Sequence, residues 1–112
     1  MLPAAHRLRT SREFSQVVRG GRRAGRPLLT AYLLQDPAGD GTNAGLIVSK
    51  AVGGSVVRHR VSRRLRHLLA ERLAALPAGT RLVVRAAPGA GTATSVELGT
   101  DLDKALARLV GA

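Results

Sequence analysis

The stretch that most constrains the fold is residues 56–75, where apolar side chains recur at helical spacing. At 100° per residue, Val57, Val61, Leu65, Leu68, Leu69, Leu73 and Leu76 fall within one arc about 160° wide. A helix of this length with one apolar face needs a matching apolar platform from the rest of the chain. Ser55 is placed to cap its start, and Pro77-Ala78-Gly79 ends it. The opposite side carries His59, Arg60, Arg63, Arg64, Arg66 and His67 over about half the circumference, with Glu71 the only acid among them. Arg58 sits in the first turn on the apolar side.

Such a face is costly for a helix that meets only water. Cations in the first turn oppose the helix dipole at roughly 0.3–1 kcal/mol each. The pairs Arg60/Arg63, Arg60/Arg64 and Arg63/His67 add repulsion at i,i+3 or i,i+4 spacing, a few tenths of a kcal/mol each when both members are charged. Phosphates would supply the missing negative charge, and the planar fork of arginine grips them in a bidentate way. The whole chain agrees: 18 Lys+Arg stand against 7 Asp+Glu, a net charge of +11. Residues 1–72 hold 14 basic and 4 acidic side chains, and the remainder only 4 and 3. A binding face for a polyanion is therefore expected in the first two thirds of the chain.

Around the long helix the pattern predicts a small sheet and two further helices. Thr10 and Glu13 form a capping box for a helix over 10–19, with Phe14, Val17 and Val18 on one face. Gly20-Gly21 is expected to end it through a left-handed residue. Pro27 interrupts the basic segment 22–26, which has room for an extra short strand. Strands are expected over 28–34, 44–50 and 80–86, with 35–43 as a hairpin loop joining the first two. After a small-residue linker over 87–93, Thr94 and Glu97 form a second capping box for a helix lined by Leu98, Leu102, Ala105, Leu106 and Leu109. The order α-β-β-α-β-α predicts an α+β two-layer sandwich with a small, mainly antiparallel sheet, one domain over residues 1–112.

Several functions are excluded by composition. Without cysteine there is no disulfide framework, zinc finger or thiol nucleophile. No run approaches the ~20 apolar residues of a membrane span, and residues 1–10 lack the apolar core of a signal peptide. A cytoplasmic protein with no membrane partner is expected. The seven acids are scattered, with no carboxylate cluster for two-metal chemistry and no Ser-His-Asp constellation. His6, His59 and His67 are too dispersed for a metal site. No catalytic residue and no bound metal are expected.

The segment Lys50-Ala51-Val52-Gly53-Gly54-Ser55-Val56-Val57-Arg58-His59-Arg60-Val61-Ser62-Arg63-Arg64-Leu65-Arg66 resembles the signature of the bacterial ribonuclease P protein component. That family has a Ser-Lys strand end, a Val-Gly turn, Arg-Asn-Arg, a spacer and further basic residues. The run from Leu8 to Phe14 is similar to the family's opening, and Gly25-Arg26 sits just before the place of the family's first long strand. Two departures stand out: His59 replaces the central Asn, and Ser62 a basic residue. The resemblance implies a protein subunit of ribonuclease P, accessory to an endoribonuclease whose RNA, with Mg2+, removes the 5′ leader of precursor tRNA. It implies two partners, the catalytic RNA and precursor tRNA, and no obligate protein partner. Lys50, Arg58, Arg60, Arg63 and Arg66 match basic positions of the RNA-binding signature. His59 takes the Asn position within it, and the helical wheel adds Arg64 and His67. Phe14, Val18 and Ala31 match the family's leader-binding cleft, while Tyr32, one residue out of step with Ala31, is expected to face away from it. Arg7, Arg9 and Arg12 are further candidates for phosphate contact. The family also implies a left-handed strand–helix–strand crossover, where the general rule would give a right-handed one. The alternative is a non-catalytic RNA-binding or ribosome-associated protein. It is distinguished by whether the protein lets the catalytic RNA cleave precursor tRNA at low magnesium. A helix-turn-helix DNA binder is disfavoured, because the arginine helix lies between strands without the short second helix of that motif.

Overall fold

Helix α1 (Ser11–Gly20) opens with the capping box its sequence predicts. The Thr10 hydroxyl accepts the Glu13 N–H at 3.1 Å, and the Glu13 carboxylate accepts the N–H groups of Thr10 and Arg9 at 3.0 and 3.2 Å. Those two backbone donors hold the Glu13 carboxyl below its ordinary pKa. The computed structural model describes residues 7–39 and 41–110; His6, one of the three dispersed histidines, lies outside the described residues. The helix does not end on a left-handed glycine as expected, since Gly21 is extended (φ −88°). Its glycine is required by space instead. A Cβ there would lie 2.5 Å from the Val17 carbonyl oxygen and 2.7 Å from that of Leu33.

Among the described residues four strands follow: β1 (Arg22–Gly25), β2 (Leu29–Gln35), β3 (Asn43–Ile47) and β4 (Thr80–Ala86). They form one sheet in the order β1-β2-β4-β3, so the extra short strand exists and the sheet is mainly antiparallel. The hairpin expected between β2 and β3 does not form, because β4 lies between them and pairs with β3 in parallel. The cause is non-local. The loop after β2 is tied to the turn that leads into β4: the Asp36 N–H donates to the Gly79 carbonyl (2.9 Å) and the Gly79 N–H to that of Gly41 (2.7 Å). Gly79 is left-handed (φ +83°), and a Cβ on it would lie 2.2 Å from the Asp36 carbonyl oxygen. Gly79→Ala is expected to cost about 2–4 kcal/mol through backbone strain and clash together. A thermal melt would show this as a fall on the order of 10 °C, and an unchanged midpoint would contradict the threading described here.

A parallel pair needs a long crossover, and here it is helix α2 (Ser55–Arg72), continued by a 3-10 turn (Leu73–Ala75). Ser55 is its first residue rather than its cap. The cap is Gly54, which has no side chain to offer, and Gly53 (φ +153°) turns the chain so closely that a Cβ on it would lie 2.8 Å from Val57. After β4 a 3-10 turn (Pro88–Thr92) leads to helix α3 (Ser95–Val110), capped by Thr94 and Glu97 as expected.

Helices α2 and α3 cover one face of the sheet, where Val61, Leu65, Leu69, Leu98 and Leu102 pack on Leu29, Ala31, Leu82 and Val84. A smaller layer lies on the other face, where Val17 of α1 packs on Tyr32 and Val83 with Leu8, Phe14 and Ile47 around it. The helices α2 and α3 are joined by Arg72, whose Nε meets the Asp103 carboxylate at 2.6 Å. This guanidinium holds the Asp103 carboxyl below its usual range. Two polar side chains are buried among the described residues, Thr80 and Asp101.

Candidate nucleic-acid interface

The packing of α2 divides its basic side chains into three stripes. On one flank, Arg60 donates to the Gly91 carbonyl (2.8 Å) and Arg64 to that of Ala93 (2.7 Å), so both are half-buried against the 3-10 turn after β4. Gly91 can come this close because it has no side chain; a Cβ would meet the Val52 carbonyl oxygen at 2.5 Å. On the outside, His59, Arg63 and His67 are exposed, with Arg63 one turn from each histidine. On the other flank lie Arg58 and Arg66, and Arg66 reaches round the β3 edge to the opposite face of the sheet. Lys50 is exposed on the 3-10 turn (Lys50–Val52) between β3 and α2.

The charge of this surface is uncompensated because the acids are committed elsewhere. Among the described residues Glu13 and Glu97 cap α1 and α3, Asp36 pairs with Arg81, Asp101 with Arg26, and Asp103 with Arg72. Glu71 alone reaches the helix face, 3.6 Å from His67 and 3.9 Å from Arg72. The first turn of α2 has no acid and no side-chain cap, so its N–H groups add to the positive field. A groove of about 440 Å³ lined by Ser55, Val56, His59, Arg60 and Arg63 lies there. Val56 is exposed at its rim.

A second feature lies between α1 and the β3 edge, a cleft of about 120 Å³ lined by Arg7, Leu8, Phe14, Gly45, Leu46 and Arg66 among others. The Phe14 ring rests directly on Gly45, where a Cβ would fall 2.4 Å from the ring. Arg7 is held beside β3 by a bridge to Ala44, which places it at the mouth. Arg9 and Arg12 are exposed at the start of α1. Val18 is half-buried on the same side as Phe14.

Ala31 does not belong to this cleft. It is fully buried in the core beneath α2 and α3, and Tyr32 is the residue that faces α1 with Phe14 and Val18. The register explains the exchange: Arg23, Tyr32, Val83 and Gly45 form one row across the sheet, and strand alternation sends Ala31 to the other side. Sequence reasoning missed Gly45, Tyr32, and Arg85, whose guanidinium lies 5.7 Å from the Tyr32 ring centroid. Nothing in the run 28–34 signalled Tyr32, because apolar residues stand in both phases of the strand. Among the described residues no group of three or more His, Asp or Glu could hold a metal ion, and no helix is long and apolar enough to cross a membrane.

These features define a class, a small α+β protein that offers a cationic helix and an aromatic cleft to a polyanion. Comparison with known proteins gives the family. The chain matches the Ribonuclease P family over residues 2–110. It is 56% identical over 119 residues to the ribonuclease P protein component of Streptomyces bikiniensis, covering 99% of this chain and 97% of that one. It is 48% identical over 110 residues to that of Acidothermus cellulolyticus, covering 97% and 92%. The ribonuclease P protein of Staphylococcus aureus superposes with a TM-score of 0.82 at 20% identity, over 94% of this chain and 97% of that one. That of Thermotoga maritima gives 0.78 at 19%, over 91% and 96%. The chain belongs to the ribonuclease P protein family, and is accordingly the protein subunit of that endoribonuclease, a partner of its RNA.

Proposed function

We propose that α2 and the turn before it grip the ribonuclease P RNA through Lys50, Arg58, His59, Arg63, Arg66 and His67, while the Phe14 cleft guides the 5′ leader of precursor tRNA. Arg60 and Arg64 act mainly by holding the turn after β4, with only those guanidinium N–H groups that are not buried left to meet phosphate. The observation that carries the reading is Phe14 seated on Gly45 with Arg7 and Arg66 beside it. An aromatic ring flanked by cations suits a single strand, stacking a base while the arginines meet the adjoining phosphates. Arg66 lines this cleft yet lies on the helix assigned to the catalytic RNA, so the leader would pass where the two nucleic acids converge. Arg9 and Arg12 extend the positive field along the start of α1.

Among the described residues no group of three or more His, Asp or Glu fits a metal ion. The Mg2+ on which hydrolysis depends belongs, in this reading, to the RNA. The protein contributes position and charge: it lowers phosphate repulsion where leader and catalytic RNA approach each other, and fixes the leader's path. This work is expected in the cytoplasm.

Leader binding is tested by Phe14→Ala in the reconstituted holoenzyme. Stacking worth about 1–3 kcal/mol predicts a loss of roughly 5- to 150-fold in affinity for precursor tRNA with a long leader. Affinity for tRNA carrying a single-nucleotide leader should stay as in the wild type. Equal losses on both substrates would remove Phe14 from the leader path.

A further inference from the structure

We infer that Arg85 is a second cationic contact for the leader strand, farther along the sheet, and that Tyr32 is its positioning residue. The inference rests on the reading of the Phe14 cleft as the leader's path. Tyr32 is 93% buried, its ring lies on the α1 side of the sheet, and the Arg85 guanidinium covers it. A ring so placed is closed to a nucleobase. What it offers instead is an electron-rich face that holds a cation.

Arg85 is exposed, and no carboxylate pairs with it among the described residues. Arg81, on the same face of β4, is neutralised by Asp36 at 3.2 Å. The two arginines are thus chemically different although they share one face of one strand. Arg85 also has room around it. It lies in the row Gly25, Thr30, Arg85, Ile47, where β1 contributes no side chain and a Cβ on Gly25 would meet nothing within 4 Å. The adjacent row is Arg23, Tyr32, Val83 and Gly45, and the last of these carries the Phe14 ring. The step from Val83 to Arg85 is about 7 Å along the strand. A single strand that stacks on Phe14 and continues over the part of the sheet beyond α1 therefore brings a phosphate to Arg85. Arg23, exposed on the edge strand, borders the same shelf.

The experiment uses holoenzyme reconstituted from the full chain and ribonuclease P RNA, and measures binding of precursor tRNA with a single-nucleotide leader and with a leader of about ten nucleotides. Wild type is expected to bind the long-leader substrate more tightly. Arg85→Ala should weaken long-leader binding by about three- to tenfold and leave short-leader binding unchanged. Tyr32→Leu should produce the same leader-selective loss, and the double variant should lose no more than either single one, since both act through one guanidinium. Tyr32→Phe keeps the ring and should behave as wild type. If Arg85→Ala binds both substrates as wild type does, while Phe14→Ala still shows a leader-selective loss, the inference falls and the cleft reading stands. If wild type itself does not distinguish the leaders, both fall. Should Tyr32→Leu fail to fold, the surface variant Arg85→Ala decides alone.

Discussion

Replacing Lys50, Arg63 and Arg66 together with alanine lowers the affinity for ribonuclease P RNA by roughly two to three orders of magnitude. All three side chains are exposed, and among the described residues none of them pairs with a carboxylate. Each is expected to supply a charge-assisted contact worth about 1–1.5 kcal/mol at moderate salt, where 1.4 kcal/mol is a factor of ten. Salt provides the second reading. With about six to eight phosphate contacts, log affinity for the wild type falls with log salt at a slope of roughly −4 to −7, and the triple variant is shallower by about 2 to 3. Thermal stability should hardly change, because no packing is lost. Arg60→Ala and Arg64→Ala differ in kind. They release the carbonyls of Gly91 and Ala93 and should lower the melting temperature as well as the affinity. A triple variant that keeps both wild-type affinity and wild-type salt slope would show that the RNA lies elsewhere.

Asp101→Ala is expected to lose as much stability as Gly79→Ala, through a different cause. This carboxylate is buried midway along α3, where it accepts the Leu28 N–H at 2.9 Å and faces the Arg26 guanidinium at 3.3 Å. It fastens the turn between β1 and β2 to the helix across a stretch where Pro27 can donate nothing to the sheet. Alanine would leave a backbone donor and a cation without their partner. Removing one member of a buried pair costs about 3–5 kcal/mol; the partial exposure of Arg26 reduces this to about 2–4 kcal/mol. Against the 5–15 kcal/mol typical of a whole domain that is a large share. Urea unfolding should show a lower midpoint with an unchanged slope. Asp101→Asn keeps an acceptor for Leu28 and should lose less. If the alanine variant unfolds with the wild type, Asp101 does not hold this corner.

What the sequence revealed was local. The capping boxes Thr10/Glu13 and Thr94/Glu97 each lie within four residues, and both formed. The apolar arc and basic face of α2 follow from one helical period, and its core residues Val61, Leu65, Leu68 and Leu69 are buried. Strand order was not legible, because it depends on Gly79 meeting Asp36 and Gly41 from more than thirty residues away. The phase of β2 was hidden for another reason. Helices cover both faces of the sheet along it, so Leu29, Ala31, Tyr32 and Leu33 are all buried and show no alternation of polarity. This is why Ala31 looked like a cleft residue and Tyr32 did not. The division of the α2 arginines was equally hidden. It is set by the carbonyls of Gly91 and Ala93, in a segment whose side chains carry almost no pattern.

This chain works as the protein subunit of an RNA enzyme, and that role has a direct assay. It is tested most directly by cleavage of precursor tRNA with bacterial ribonuclease P RNA in a few millimolar magnesium, with and without the protein. Little cleavage is expected from the RNA alone, correct 5′ maturation when the wild-type protein is added, and loss of that rescue in the Lys50, Arg63, Arg66 triple variant. RNA that binds the protein yet still fails to cleave would contradict that role, and would leave an RNA-binding protein without this catalytic partner.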